Sequence, residues 1–172
     1  EDGSTPLYWA ALKGHLEIFK LLFEKAKEHN PKRKDGETPL HAAARNGHKE
    51  ICQMIIDKID DANPQDDEGD TPLHYVVADG DFDTCQLILN KTKLKNPMNY
   101  RGITPFHHAA REGYLDLFKT LMANSEDINI NPTDRYGQNP EKYAKWNNDI
   151  PLTELIHQMK TENGLSWSRI SN

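Results

Sequence analysis

The sequence predicts an all-α solenoid of stacked helix–turn–helix units with projecting β-turn fingers between them. Three periodic observations predict it. Thr-Pro-Leu or Thr-Pro-Phe, followed by Tyr or His, recurs every 33 residues: Thr5-Pro6-Leu7-Tyr8, Thr38-Pro39-Leu40-His41, Thr71-Pro72-Leu73-His74 and Thr104-Pro105-Phe106-His107. Each phrase is followed nine residues later by a glycine, at Gly14, Gly47, Gly80 and Gly113. Asn30-Pro31, Asn63-Pro64 and Asn96-Pro97 keep the same step, and Asn131-Pro132 arrives two residues late. Self-similarity at this period marks supersecondary units that bury their apolar faces on one another. It turns the search for function towards a surface rather than a pocket.

Each element follows from local physics. Thr38 suits an N-cap, because its hydroxyl accepts from an orphan amide of the first helical turn. Pro39 sits at the first helical position, where its missing N–H costs nothing. Gly47 ends that short helix in a left-handed conformation. A second helix follows, with Ile51, Cys52, Ile55, Ile56 and Ile59 as its apolar stripe. Ile18, Phe19, Leu22 and Phe23 repeat the stripe in the first unit, Cys85, Leu87, Ile88 and Leu89 in the third, and Leu117, Phe118 and Leu121 in the fourth. The small pairs Ala10-Ala11, Ala43-Ala44 and Ala109-Ala110 let helices approach closely, and Val76-Val77 replaces them in the third unit. Polar stretches ending in Gly36, Gly69 and Gly102 read as finger turns. The insertion at Asp127-Ile128-Asn129-Ile130 predicts a longer finger on an undisturbed helical frame.

The array is expected over residues 1–160, with units at about 3–35, 36–68, 69–101 and 102–136, a cap at 137–160 and a tail at 161–172. The chain has 172 residues, of which 36% are hydrophobic, and a mean hydropathy of −0.83. Those values fit a thin stack better than a sphere. No run approaches the ~20 apolar residues of a membrane helix. A net charge of −6 and a pI near 5.7 argue against nucleic acid, whose phosphates dominate such binding. Cys52 and Cys85 occupy equivalent positions in adjacent units, about 8–10 Å apart by helix packing. A disulfide needs Cα atoms within about 7 Å. Reduced core thiols point to an intracellular, cytoplasmic setting, with the nucleus left open.

The second copy, Gly36-Glu37-Thr38-Pro39-Leu40-His41-Ala42-Ala43-Ala44-Arg45-Asn46-Gly47-His48, resembles an ankyrin repeat, and the resemblance covers nearly the whole chain. It implies a non-enzymatic interaction module. A protein partner would lie in a concave groove formed by the finger tips and the inner faces of the first helices. By position the tips are Asp2, Ser4, Lys34, Asp35, Glu37, Asp67, Glu68, Asp70, Tyr100, Arg101, Ile103, Tyr136 and Gln138. One helical stripe is Trp9, Ala42, Tyr75, His108 and Tyr143. A second includes Lys13, Arg45, Asn46, Asp79, Arg111, Glu112 and Trp146. Tyr75 and His108 are expected to meet the partner, and His108 to face the groove within reach of a pH response. The acidic third unit, with Asp66, Asp67, Glu68, Asp70, Asp79, Asp81 and Asp83, predicts a basic partner patch and reads as a solvated charge run at its turn. Alternatives are a regulatory or targeting segment of a larger enzyme, kinase or channel, and an enzyme inhibitor. The stretch from Leu121 to Asn129 also resembles the acceptor of the asparaginyl hydroxylase that modifies ankyrin repeats.

Catalytic signatures are lacking: no phosphate-binding glycine loop, Cys-x-x-Cys pair, nucleophile elbow or His-Glu-x-x-His stretch occurs. No cofactor is expected. His41, His74 and His107 each lie a full unit apart, too far to share a metal ion, and are expected to tie neighbouring units together. The chain is expected to act as a monomer, away from membranes. The ends differ: Leu152, Leu155, Ile156 and Met159 form one narrow stripe, as on a cap. Glu1-Asp2-Gly3 starts mid-turn with Ile18, Phe19 and Phe23 presented, which predicts an excised piece preceded by further repeats or another domain.

Overall fold

A computed structural model describes residues 2–124, 129 and 131–167. Apart from Asn129, the expected finger insertion lies outside these residues, as does 168–172 of the tail. The helices alternate between an inner and an outer row: α1 (Pro6–Lys13) and α2 (Leu16–Lys25), α3 (Pro39–Arg45) and α4 (Lys49–Ile56), α5 (Pro72–Asp79) and α6 (Phe82–Lys91), α7 (Pro105–Glu112) and α8 (Leu115–Ala123), α9 (Pro140–Trp146) and α10 (Ile150–Trp167). Inner helices stack α1–α3–α5–α7–α9, and outer helices stack α2–α4–α6–α8. α10 runs seven residues past the cap boundary expected at 160. The described residues include no β-strand.

The repeated phrase builds each junction. Thr38, Thr71 and Thr104 donate their backbone N–H to Nδ1 of His41, His74 and His107, each at 3.1 Å. That leaves the imidazole proton on Nε2. It is donated to the next finger, to the Asp70 carbonyl at 3.2 Å, the Ile103 carbonyl at 3.1 Å and the Gln138 carbonyl at 3.3 Å. The expected inter-unit ties are therefore present. The first unit differs, because the buried Tyr8 reaches the Glu37 carboxylate instead, at 2.5 Å. Asn-Pro contributes too: Asn30 Oδ1 accepts from Leu40 N at 2.9 Å and Asn131 Oδ1 from Glu141 N at 3.2 Å. The spacing between cap and target is the same in both, so the insertion leaves the frame in register.

Ala43, Ala44, Val76, Val77, Ala109 and Ala110 are completely buried between the rows. Cys52 and Cys85 are free and buried, and burial pushes both thiols up to about 12. One expectation needs correcting at the first unit. Phe19 and Phe23 point into the stack and are buried, whereas Ile18 is 53% and Leu21 65% exposed. The reason is direction: Phe19 and Phe23 face the second unit, while Ile18 faces away from it. At the other end Leu152 and Ile156 are fully buried, while Glu154, His157 and Gln158 are exposed.

Replacing Ala43 with leucine should overpack this junction and cost about 1–3 kcal/mol in a urea titration. The histidines set a pH dependence. Burial pushes His41 down to about 4 and also lowers His74 and His107. They are neutral in the fold, whereas an unfolded histidine titrates near 6.5. Stability is thus full above about pH 6.5 and falls as the pH drops below it, because the unfolded chain then binds more protons; the His41 contribution is exhausted near pH 4. The unfolding free energy from urea titrations should fall through this window by ~1.4 kcal/mol per pH unit for each histidine still neutral in the fold. A flat profile between about pH 6.5 and 4.5 would contradict the buried row.

Candidate functional site

Three of the fingers are built by an acceptor at one position, Asp66, Asn99 or Asp134. Asp66 Oδ1 accepts from Glu68 N at 3.0 Å and Asp70 N at 2.9 Å. Asn99 does the same for Arg101 N and Ile103 N, and Asp134 for Tyr136 N and Gln138 N. The turn needs a glycine: Gly36 has φ +78°, and a Cβ there would lie 2.8 Å from Asp66 Cα of the next finger. Neighbouring fingers then join through their backbones. Lys34 N donates to Asp2 O, Asp67 N to Asp35 O, Tyr100 N to Glu68 O and Arg135 N to Arg101 O, at 2.9–3.0 Å. The tips therefore stand on a continuous hydrogen-bonded row.

The first helical stripe is oriented differently from expectation. Tyr75 packs edge-on to His41 with ring centres 5.9 Å apart, His108 to His74 at 5.9 Å and Tyr143 to His107 at 5.6 Å. These rings face the preceding unit, and Ala42 in the same stripe is completely buried. The Tyr75 hydroxyl donates to Asp66 Oδ2 at 2.7 Å and the Tyr143 hydroxyl to Asp134 Oδ2 at 2.9 Å. Burial and the Asp66 bond raise the Tyr75 hydroxyl above its ordinary value. His108 is too short to repeat that bond, and Asn99 donates its amide to Asp70 at 2.9 Å instead. Burial, with His74 and Arg111 nearby, pushes His108 down to about 3. It stays neutral at physiological pH and does not sense it. Of this stripe only Trp9, 49% exposed, stands well into solvent.

The acidic third unit is largely engaged internally. Asp66 is buried in the turn it builds, which overturns its reading as part of a solvated run. Glu68 pairs with Arg101 at 2.5 Å, Asp83 with Lys49 at 3.0 Å, and Asp81 caps α6 through Thr84 N. Asp67 and Asp79 remain exposed. Upstream, Glu37 receives Tyr8 and an ion pair from Arg45. Burial opposes its charge, yet those two groups hold its carboxyl below the usual range. The Arg45 guanidinium also lies 4.0 Å over the Tyr75 ring. Asp35 pairs with Arg33 at 3.1 Å.

Among the remaining candidates, Lys13, Asn46, Arg111 and Glu112 are exposed at the ends of the inner helices, with Arg111 paired to Glu112 at 2.7 Å. Ile103 is half-buried, and its carbonyl receives His74. Tyr100, Tyr136 and Trp146 are 70%, 66% and 61% exposed. Arg135 was not among the candidates, yet its guanidinium lies 4.8 Å over the Tyr136 ring. It stands 35 residues after Tyr100, the 33-residue step plus the two-residue insertion, and that was the available signal. Asn129 is exposed and accepts from Asn131 N at 3.0 Å. Among the described residues no group of three His, Cys, Asp or Glu side chains could hold a metal ion, and no helix is long and apolar enough to cross a membrane.

A family model described as ankyrin repeats (3 copies) matches residues 1–66, 58–134 and 77–161. No curated protein matches the chain.

Removing the Tyr75 hydroxyl leaves Asp66 with one acceptor unfilled in a buried turn. Tyr75→Phe should cost about 1–2 kcal/mol. It should also speed amide exchange at Glu68 and Asp70 relative to the distant finger at Tyr136. Equal exchange at both fingers would show that the phenol does not brace its own turn.

Proposed function

Because the chain belongs to the ankyrin-repeat family, we propose that it holds a protein partner in the groove between its fingers and inner helices and performs no chemistry on it. Protein–protein interaction is the general role of the family. The observation carrying the site assignment is the exposure of Tyr100 and Tyr136 on adjacent tips, with Trp146 on α9. The fingers under both tyrosines are tied to their neighbours by backbone bonds. Large rings held out of the core on rigid backbone lose little freedom when a partner covers them. Such rings are where interface energy concentrates.

The charges refine the reading. Asp67 and Asp79 are the exposed carboxylates left near the centre of the groove, so a basic group on the partner would meet these two rather than the whole acidic run. Arg101 and Arg111 already have carboxylate partners at 2.5 and 2.7 Å, and they contribute orientation more than net attraction. The reading of no catalysis is supported by the state of the repeated reactive groups: His41, His74 and His107 are bonded at both ring nitrogens, and burial raises both thiols to about 12.

Capture of a partner from lysate, followed by titration of that partner, tests the assignment. Tyr100→Ala and Tyr136→Ala should each weaken binding by about 2 kcal/mol, roughly 30-fold, with the melting temperature unmoved because both rings are exposed. Asp67→Lys should chiefly slow association and reduce its salt dependence. Full affinity in the double tyrosine variant would place the partner elsewhere on the array.

A further inference from the structure

We propose that the free face of the first unit, formed by Pro6, Trp9, Ile18 and Leu21, is a docking surface for another helix–turn–helix unit of the same repeat type. The reasoning compares equivalent positions along the array. Ile18 corresponds to Ile51, Thr84, Leu117 and Leu152, which are 0–3% exposed because the preceding unit covers them; Ile18 is 53% exposed. Pro39, Pro72, Pro105 and Pro140 are buried, and Pro6 is exposed. Leu21 is 65% exposed, whereas Met54, Leu87, Thr120 and Leu155 are half-buried. Trp9 occupies the stripe whose other rings lie against the preceding unit's histidine. The face is thus continuous in type with the four unit-to-unit interfaces already described.

Hydrogen bonding agrees with the apolar pattern. Interior histidines donate to the carbonyls of Asp70, Ile103 and Gln138. The equivalent acceptor in the first finger is the Ser4 carbonyl, which receives no backbone or side-chain donor from the described residues. A docking unit with histidine at the phrase's fourth position would supply Nε2–H there.

A second copy of this chain fits poorly as the occupant. Its outgoing face would have to be that of the last unit, where Lys142 stands in the histidine position. Thr153 and His157 replace the apolar residues that other units use, Phe19 and Phe23 or Cys85 and Leu89. His157 is exposed rather than packed. The matching chemistry is that of an interior unit.

Joining a duplicate of residues 36–67 directly ahead of Asp2 tests the proposal, since it places a unit with the interior outgoing face in register. Amide exchange over Leu16–Lys25 should slow at least ~10-fold in the extended chain, as neighbour coupling requires. Ile18→Asp with Leu21→Asp should return exchange to within about twofold of the original chain. The same pair in the original chain should leave its melting temperature unchanged, since both side chains are exposed. Unchanged exchange on extension, or protection that survives the aspartates, would overturn the proposal. So would sedimentation showing that the original chain dimerises and that Ile18→Asp dissociates it, because the face would then belong to a second copy.

Discussion

The bond from each interior histidine to the next finger's carbonyl is the constraint on which the rest of the molecule depends. One imidazole accepts from the amide that starts its own helix and donates across the junction, so helix initiation and unit stacking are fixed by a single ring. The ring must be neutral and in one tautomer to do both. Its burial enforces the first condition, and the Thr backbone N–H enforces the second. A buried polar group that left either nitrogen unpaired would cost about 1–3 kcal/mol, so the geometry of a junction is specified as well as stabilised.

That constraint decides what the groove can present. Finger carbonyls at Asp70, Ile103 and Gln138 are held by histidines, and the finger amides are held by Asp66, Asn99 and Asp134. Tyrosines from the inner helices add a further brace at two fingers. At these three fingers those backbone groups are consequently satisfied within the array, and a partner meets side chains on the tips. Most charges there are also paired with neighbours, often across adjacent units, as in Arg101 with Glu68. What protrudes is aromatic at the tips, in Tyr100 and Tyr136, with the exposed carboxylates of Asp67 and Asp79 on the third unit beside them.

The helices, caps and finger turns were legible because their causes are local. Threonine before proline, and glycine nine residues later, act within one or two turns of chain, and the fixed step repeats the message. Orientation of the stripe through Tyr75 and His108 was not legible. A helix in this stack has neighbours on two sides, and residue spacing alone does not distinguish the face meeting the previous unit from the face meeting solvent. Burial of Asp66 was missed for a related reason: in a run of carboxylates it reads as solvated. The signal was the Asx residue three before a finger glycine, repeated as Asp66, Asn99 and Asp134. Tyr100 and Tyr136 were found because tip position alone determines their exposure.

The array is uniform in backbone and uneven in chemistry. Interior junctions use a neutral imidazole donating to a neutral carbonyl, a bond that ionic strength barely touches. The first junction substitutes Tyr8, whose longer ring passes the carbonyl and meets the Glu37 carboxylate, which in turn holds Arg45 and lies 3.6 Å from Arg33. Arg33 occupies the finger position that Asp66, Asn99 and Asp134 fill elsewhere, so in this finger the Glu37 N–H is taken by Asp35 Oδ1 at 3.2 Å instead. The cation at that position adds an ion-pair cluster reaching Asp2, Asp35 and Glu37. Charge pairs near the surface are weakened by salt and by protonation of their carboxylates. The first unit is therefore coupled to the rest by the most condition-dependent link in the stack, and it is also the unit whose outer face is open.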